Sequence, residues 1–144
     1  MATFRHATPG SIVSSRRVIV SDAVTSDGDT KFTITQPANS TVDAVIARNL
    51  DQIVFDNAAA VLKAKCGTAE DGAEVCAFFN LLNGATTLAA NKVASGTVED
   101  AVSAVAGTMT TDERELHITL NANHTLTATG NGRIEFTIAF RTFD

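Results

Sequence analysis

Tryptophan and tyrosine are absent from these 144 residues, and the aromatic content rests on eight phenylalanines. Sugar-binding and base-stacking surfaces normally present amphipathic rings, so the absence counts against both. The phenylalanines fall mostly on strand faces expected to be buried. Charge is also scarce, at 19% of residues with a net charge of −5. Affinity for phosphates comes from Lys and Arg, so an acidic surface of this kind points away from a nucleic-acid partner. No apolar run reaches the roughly 18 residues of a membrane-spanning helix, and no membrane partner is expected. Met1 to Gly10 lacks the apolar stretch of a signal peptide, which points to synthesis in a cytoplasm.

The only cysteines are Cys66 and Cys76. A zinc site takes four soft ligands in clustered pairs, which these two do not provide. They could face each other across a hairpin and bond, or remain two small reduced side chains, as a cytoplasmic origin favours.

What is present is enough apolar material, 44% of residues, for one domain with one core. Thr, Ser and Asn supply much of the remaining surface. Residues 1–16 read as an N-terminal arm broken by Pro9-Gly10 and carrying Arg5 and Arg16, with Arg17 beside it. Residues 17–144 read as a single β domain. A strand is expected over 17–24 and a turn over 26–29. Phe32 and Ile34 alternate with Thr33 and Thr35 as a half-buried strand does. A turn over 37–40 and a strand over 41–47 follow. Residues 51–66 are ambiguous between strand and helix in their second half. Cys66 to Cys76 resembles a hairpin loop, with a return strand over 75–82 and a turn at Asn83-Gly84. Thr97 followed by Asp100 fits a capping box, and Val98, Ala101, Val102 and Val105 recur at helical spacing. One short helix is therefore expected over 98–106.

The most legible stretch is 116–143. Leu116, Ile118 and Leu120 alternate with polar residues, as do Leu126 and Ala128. Ile134, Phe136, Ile138 and Phe140 alternate with Arg133, Glu135, Thr137 and Arg141. Three strands joined by turns at 121–124 and 130–132 read as an antiparallel meander with one apolar face. A second layer must cover that face, so the expected class is mostly β: an antiparallel β-sandwich or jelly-roll-like domain.

No catalytic constellation emerges. His117 and His124 could approach each other across a hairpin at 120–125 and hold a metal, but no carboxylate stands at ligand spacing and ordinary surface histidines fit better. His6 lies in the arm. Asp22, Asp27 and Asp29 lack the closing Glu of a calcium loop, and Glu70, Asp71 and Glu74 form a second acidic loop of the same kind. No nucleophile elbow or phosphate loop occurs. Neither an enzyme, a cofactor nor a metal is expected.

Several segments together resemble the capsid decoration, or cement, proteins of tailed bacteriophages, including those of aquatic hosts. They are Thr30-Lys-Phe-Thr-Ile-Thr-Gln-Pro-Ala-Asn-Ser-Thr41, Leu62-Lys-Ala-Lys-Cys-Gly-Thr-Ala69 running on to Val75, and Leu126-Thr-Ala-Thr-Gly-Asn-Gly-Arg-Ile-Glu-Phe-Thr-Ile-Ala-Phe140. The resemblance spans 30–143 and is one of strand order rather than of an exact motif. It implies a β-sandwich or jelly roll that binds the outer head lattice and stabilises it, often as a trimer, with the major capsid protein as partner. The implied place is the exterior of the phage head, after assembly in the host cytoplasm. It brings no catalytic residues, and the helix over 98–106 is where this chain would depart from an all-β pattern. A tail or fibre module, a carbohydrate- or ligand-binding β-sandwich and a small hydrolase are the competing readings. The expected assembly surface is the polar strand face with Arg133, Glu135 and Arg141, together with Arg5, Arg16 and Arg17 of the arm region.

Overall fold

The computed structural model describes residues 11–20, 28–98, 109–127 and 132–143. Ten strands follow one another: β1 (Ser11–Val20), β2 (Gly28–Gln36), β3 (Ser40–Asn49), β4 (Ile53–Val54), β5 (Val61–Gly67), β6 (Cys76–Asn83), β7 (Thr87–Leu88), β8 (Val93–Gly96), β9 (Arg114–Ala122) and β10 (Ile134–Phe143). Strand-forming residues explain most of them. Thr, Val, Ile and Phe dominate β2 and β10 and recur in β3, where branched and aromatic side chains pack on a pleated surface, while β9 buries Leu116, Ile118 and Leu120. Pro37 has no N–H to continue the ladder and ends β2. The chain then turns through Asn39 at φ 54°, a left-handed conformation that Asn tolerates. Ser40 Oγ donates to Pro37 O at 2.6 Å inside this turn. The buried Gln36 side chain donates to Ser40 O and accepts from Arg114 Nε at 2.8 Å.

Each strand pairs antiparallel with the one equally far from the other end of the series. β1 pairs with β10, β2 with β9, β3 with β8, β4 with β7 and β5 with β6. The chain is one long hairpin whose tip is the β5–β6 loop. Rolling it places alternate pairs on opposite layers. One sheet has the order β1-β10-β3-β8 and the facing sheet β2-β9-β5-β6, with β4 and β7 forming a small third sheet. Two four-stranded antiparallel sheets nested in this way make a jelly roll.

The core lies between the layers. Ile134, Phe136, Ile138 and Phe140 from β10 meet Leu116, Ile118 and Leu120 from β9, with Val45, Ala47, Leu62 and Ala64 around them. Fully burying such a large side chain contributes about 1.5–3 kcal/mol. The Phe32 and Phe136 rings, one from each sheet, sit 5.0 Å apart and tilted. Along one side the sandwich closes through Gly96 of β8. A Cβ there would stand 2.8 Å from both Cys76 Sγ and a Phe79 ring carbon, so the position has no room for a side chain.

The mostly-β, sandwich or jelly-roll expectation holds, and so do the inward faces read from Phe32 and Ile34, from Leu116, Ile118 and Leu120, and from Ile134 to Phe140. The three-stranded meander over 116–143 does not. β9 and β10 lie in different sheets, and Leu126 makes only an isolated bridge with Phe55. Alternation reports which face of a strand is buried, and that is the same whether the next strand lies beside it or across the core. The stretch 58–65 resolves as a turn leading into β5, not a helix. β9 runs on through Asn121 and Ala122, where a turn was expected. The helix expected over 98–106 falls almost wholly outside the described residues, as does the first half of the turn expected over 26–29, whose Gly28 and Asp29 instead open β2. The first ten residues of the expected arm also lie outside them. Ser11 to Arg16, assigned to the arm, form the first part of β1.

Candidate assembly surface

The outer face of the β1-β10-β3-β8 sheet is built by strand parity. Inward Ile134, Phe136 and Ile138 on β10 leave Glu135, Thr137 and Ala139 outward. The register then aligns one row straight across four strands: Ile19 of β1, Glu135 of β10, Arg48 of β3 and Val93 of β8. Arg17, Thr137, Ile46 and Ser95 form the next row, and Ser15, Ala139 and Ala44 the one after. The first row is apolar at both ends, with Ile19 48% and Val93 57% exposed. At its centre Glu135 lies 3.5 Å from both Arg17 and Arg48, and its side chain is only 13% exposed. Arg48 Nε is shielded from solvent and makes no hydrogen bond, so the ion pair is its contact. The middle of the face, with Thr137, Ala139, Ile46 and Ala44, is small and weakly charged.

Of the residues expected to form an assembly surface, Arg17 and Glu135 are brought into contact here. Arg141 reaches Asp43 at 3.3 Å on the same side. Asp43 is exposed because the β10–β3 register shifts beside it, leaving Asp43 and Ala44 both outside. Arg133 precedes β10 and pairs with Asp51. Arg16 follows the opposite parity from Arg17, aligned with inward Ile138. At the sheet edge it borders a groove of about 430 Å³ with Val18, Ile34 and Glu113. Arg5 lies outside the described residues. Arg48, Asp43, Ile19 and Val93 were missed. A charged residue inside the Val-rich run 41–47 and its continuation was the available signal for the first two.

The outer face of the other sheet is partly roofed. The β5–β6 loop folds back over it as a flap. Lys31 Nζ donates to Glu70 Oε1 and to Asp71, each at 3.0 Å, and Lys65 Nζ donates to Asp71 O at 2.6 Å. The two carboxylates push the exposed Lys31 ammonium above its usual range, hydrogen bonding to Asp71 contributing most. Thr119 points outward by alternation between Ile118 and Leu120, yet it is 2% exposed. The flap sits so close to Gly67 that an added Cβ would meet the Gly72 backbone, with Cα 2.6 Å away. An open cavity of about 260 Å³ remains beside it, lined in part by Lys31, Glu70 and His117. Nearby, Phe78 is 42% exposed and lies under Lys63 and Lys65, whose Nζ atoms stand 4.4 and 4.9 Å from the ring centre.

No hairpin joins His117 to His124. His117 lies in β9 opposite Thr33 and Gly67, and His124 stands beyond the strand with Nδ1 3.7 Å from Asp56. Among the described residues, no group of three or more His, Cys, Asp or Glu side chains could hold a metal ion. No helix among them is long and apolar enough to cross a membrane.

The sequence matches no family model and no curated protein. Two solved structures match the fold from end to end. A chain in the capsid asymmetric unit of cyanophage Pam1 aligns with a TM-score of 0.59 at 16% identity, covering 99% of this chain and 93% of that one. A chain in the capsid of Ralstonia phage GP4 gives 0.53 at 17% identity, covering 100% and 91%. Coverage this high in both directions means that the matched chains are of nearly the same length. This jelly roll is therefore similar, over its whole length, to small chains found in two phage capsids.

Proposed function

We propose that this chain is a phage capsid decoration, or cement, protein that binds the outer head lattice as a trimer and stabilises it. The observation that carries the reading is the end-to-end fold match with capsid chains of about its own size. A jelly roll this small holds one core and little else, so its use lies on its faces. The proposed assembly face is the outer side of the β1-β10-β3-β8 sheet. It is apolar at its rims and polar at its centre, with Arg17, Arg48 and Glu135 coupled, a pattern that sets register between partners. The proposed partners are further copies of this chain and the major capsid protein, at the exterior of the head, after assembly in the host cytoplasm.

Solution mass and capsid co-sedimentation test this. The expected result is a trimer that sediments with expanded capsids. A strict monomer that stays in the supernatant would overturn it. Electron microscopy of labelled particles separates a head from a tail or fibre position. A carbohydrate-binding reading gains nothing comparable: among the described residues its aromatic platform would have to be Phe78, a single exposed ring flanked by two lysines.

A further inference from the structure

Cys66 and Cys76 are the only cysteines of the chain, and the β5–β6 register sets them directly opposite each other. Neither is in a disulfide, and both are fully buried on the inner side of their strands. Directly opposed residues of an antiparallel pair have Cα atoms about 4.5–5.5 Å apart. That lies inside the window of about 4.4–6.8 Å that a disulfide requires. The neck of the hairpin is already drawn together by Val75 N donating to Cys66 O at 3.1 Å. The segment between the two cysteines is the flap that Lys31 and Lys65 hold over the outer face of the sheet.

We propose that Cys66 and Cys76 form a modification site, a dithiol that closes to an intramolecular disulfide and staples the neck of the flap. The oxidant class is a small-molecule disulfide such as oxidised glutathione. One cysteine thiolate attacks it, forming a mixed disulfide and releasing one glutathione thiolate. The second cysteine then attacks the protein-side sulfur and releases the other. The protein loses two protons and two electrons, one Sγ–Sγ bond forms, and the glutathione disulfide is reduced to two thiols. Burial keeps Cys66 protonated by pushing its thiol up, so reaction waits on local opening. Among the described residues β6 is the edge strand of its sheet and pairs with β5 alone, so opening this hairpin breaks one ladder. On the capsid reading, a particle assembled in a reducing interior would harden after release. That consequence rests on the proposed function; the chemistry of the isolated chain does not.

The test exposes the purified full chain to oxidised glutathione. Thiols are then counted under denaturing conditions, and intact mass, a proteolytic peptide map and Tm are measured. The expected result is joint loss of both thiols, a mass lower by two hydrogens and a peptide linking Cys66 to Cys76. Tm rises on the order of 5–10 °C and falls back with dithiothreitol. Cys66→Ala and Cys76→Ala each abolish the rise. Two thiols still titratable, a persistent glutathione adduct, or a bond between chains would each overturn the proposal. If the variants fail to fold, the peptide map of the unaltered chain decides by itself. Absence of the bond leaves the capsid reading standing, and failure to bind capsids leaves the bond standing.

Discussion

Arg133 grips Asp51 through two contacts of 2.9 Å, Nε to one carboxylate oxygen and Nη2 to the other. Bidentate pairing of this kind adds geometry to charge. It ties the entry of β10 to the chain just after β3, at the end where the two strands begin their ladder. The Arg133 hydrogen bond holds the Asp51 carboxyl below its ordinary range and raises the Arg133 guanidinium in turn.

The pH dependence follows in sign. A carboxyl lowered in the folded state adds stability above its unfolded value and loses it as pH falls through the folded one. Asp51→Asn is expected to lower Tm by a few degrees at pH 7. The gap to the unaltered protein should narrow below about pH 4, near the ordinary Asp value. Thermal melts of both proteins from pH 7 to pH 3 check this. A gap that stays constant over the range would remove the carboxylate from the account.

Phe136→Ala tests the centre of the core. The ring is fully buried and meets Phe32 across the layers. The loss should be about 3–5 kcal/mol, read from denaturant midpoints at unchanged slope. A loss under about 1 kcal/mol would mean that the two sheets repack around the space.

Arg17→Glu places a second acid beside Glu135 on the exposed face, 65% of the Arg17 side chain being accessible. Capsid affinity should fall by roughly tenfold or more, while Tm moves less because the Arg17 side chain is mostly exposed and Glu135 keeps its contact with Arg48. Co-sedimentation at two salt concentrations measures it. Unchanged binding would move the assembly surface off this face.

Gly67→Ala drives a methyl group into the flap backbone at Gly72. The expected cost is about 1–3 kcal/mol, the range of overpacking, accompanied by faster hydrogen exchange and proteolysis in the flap. A stable variant with an unchanged exchange pattern would mean that the flap shifts freely.

The buried faces were readable because alternation and burial are one physical fact. A strand with Leu116, Ile118 and Leu120 on one side, or Ile134 through Phe140, must turn that side from water in any β fold. The Cys66–Cys76 hairpin was readable for a local reason, since a Gly-containing loop between two pairing arms sets its own register. The Asp43 bulge was not, because one extra residue leaves the composition of β3 unchanged. Nor was the burial of Thr119, which depends on a flap closing from fifty residues earlier in the chain.

By itself, then, and the short β7 and β8 aside, the amino-acid sequence determined the β class, most of the long strands with their inward faces, and the hairpin at the tip. These depend on side-chain hydrophobicity at a period of two and on local turn chemistry. Only the tertiary structure decided which strands share a sheet. β9 and β10 follow each other in the chain yet pair with β2 and β1, because a long hairpin rolled into two layers satisfies backbone hydrogen bonds and buries both apolar faces at once. The same rolling brought Ile19, Glu135, Arg48 and Val93 into one row from four separated segments, a relation that sequence spacing does not contain.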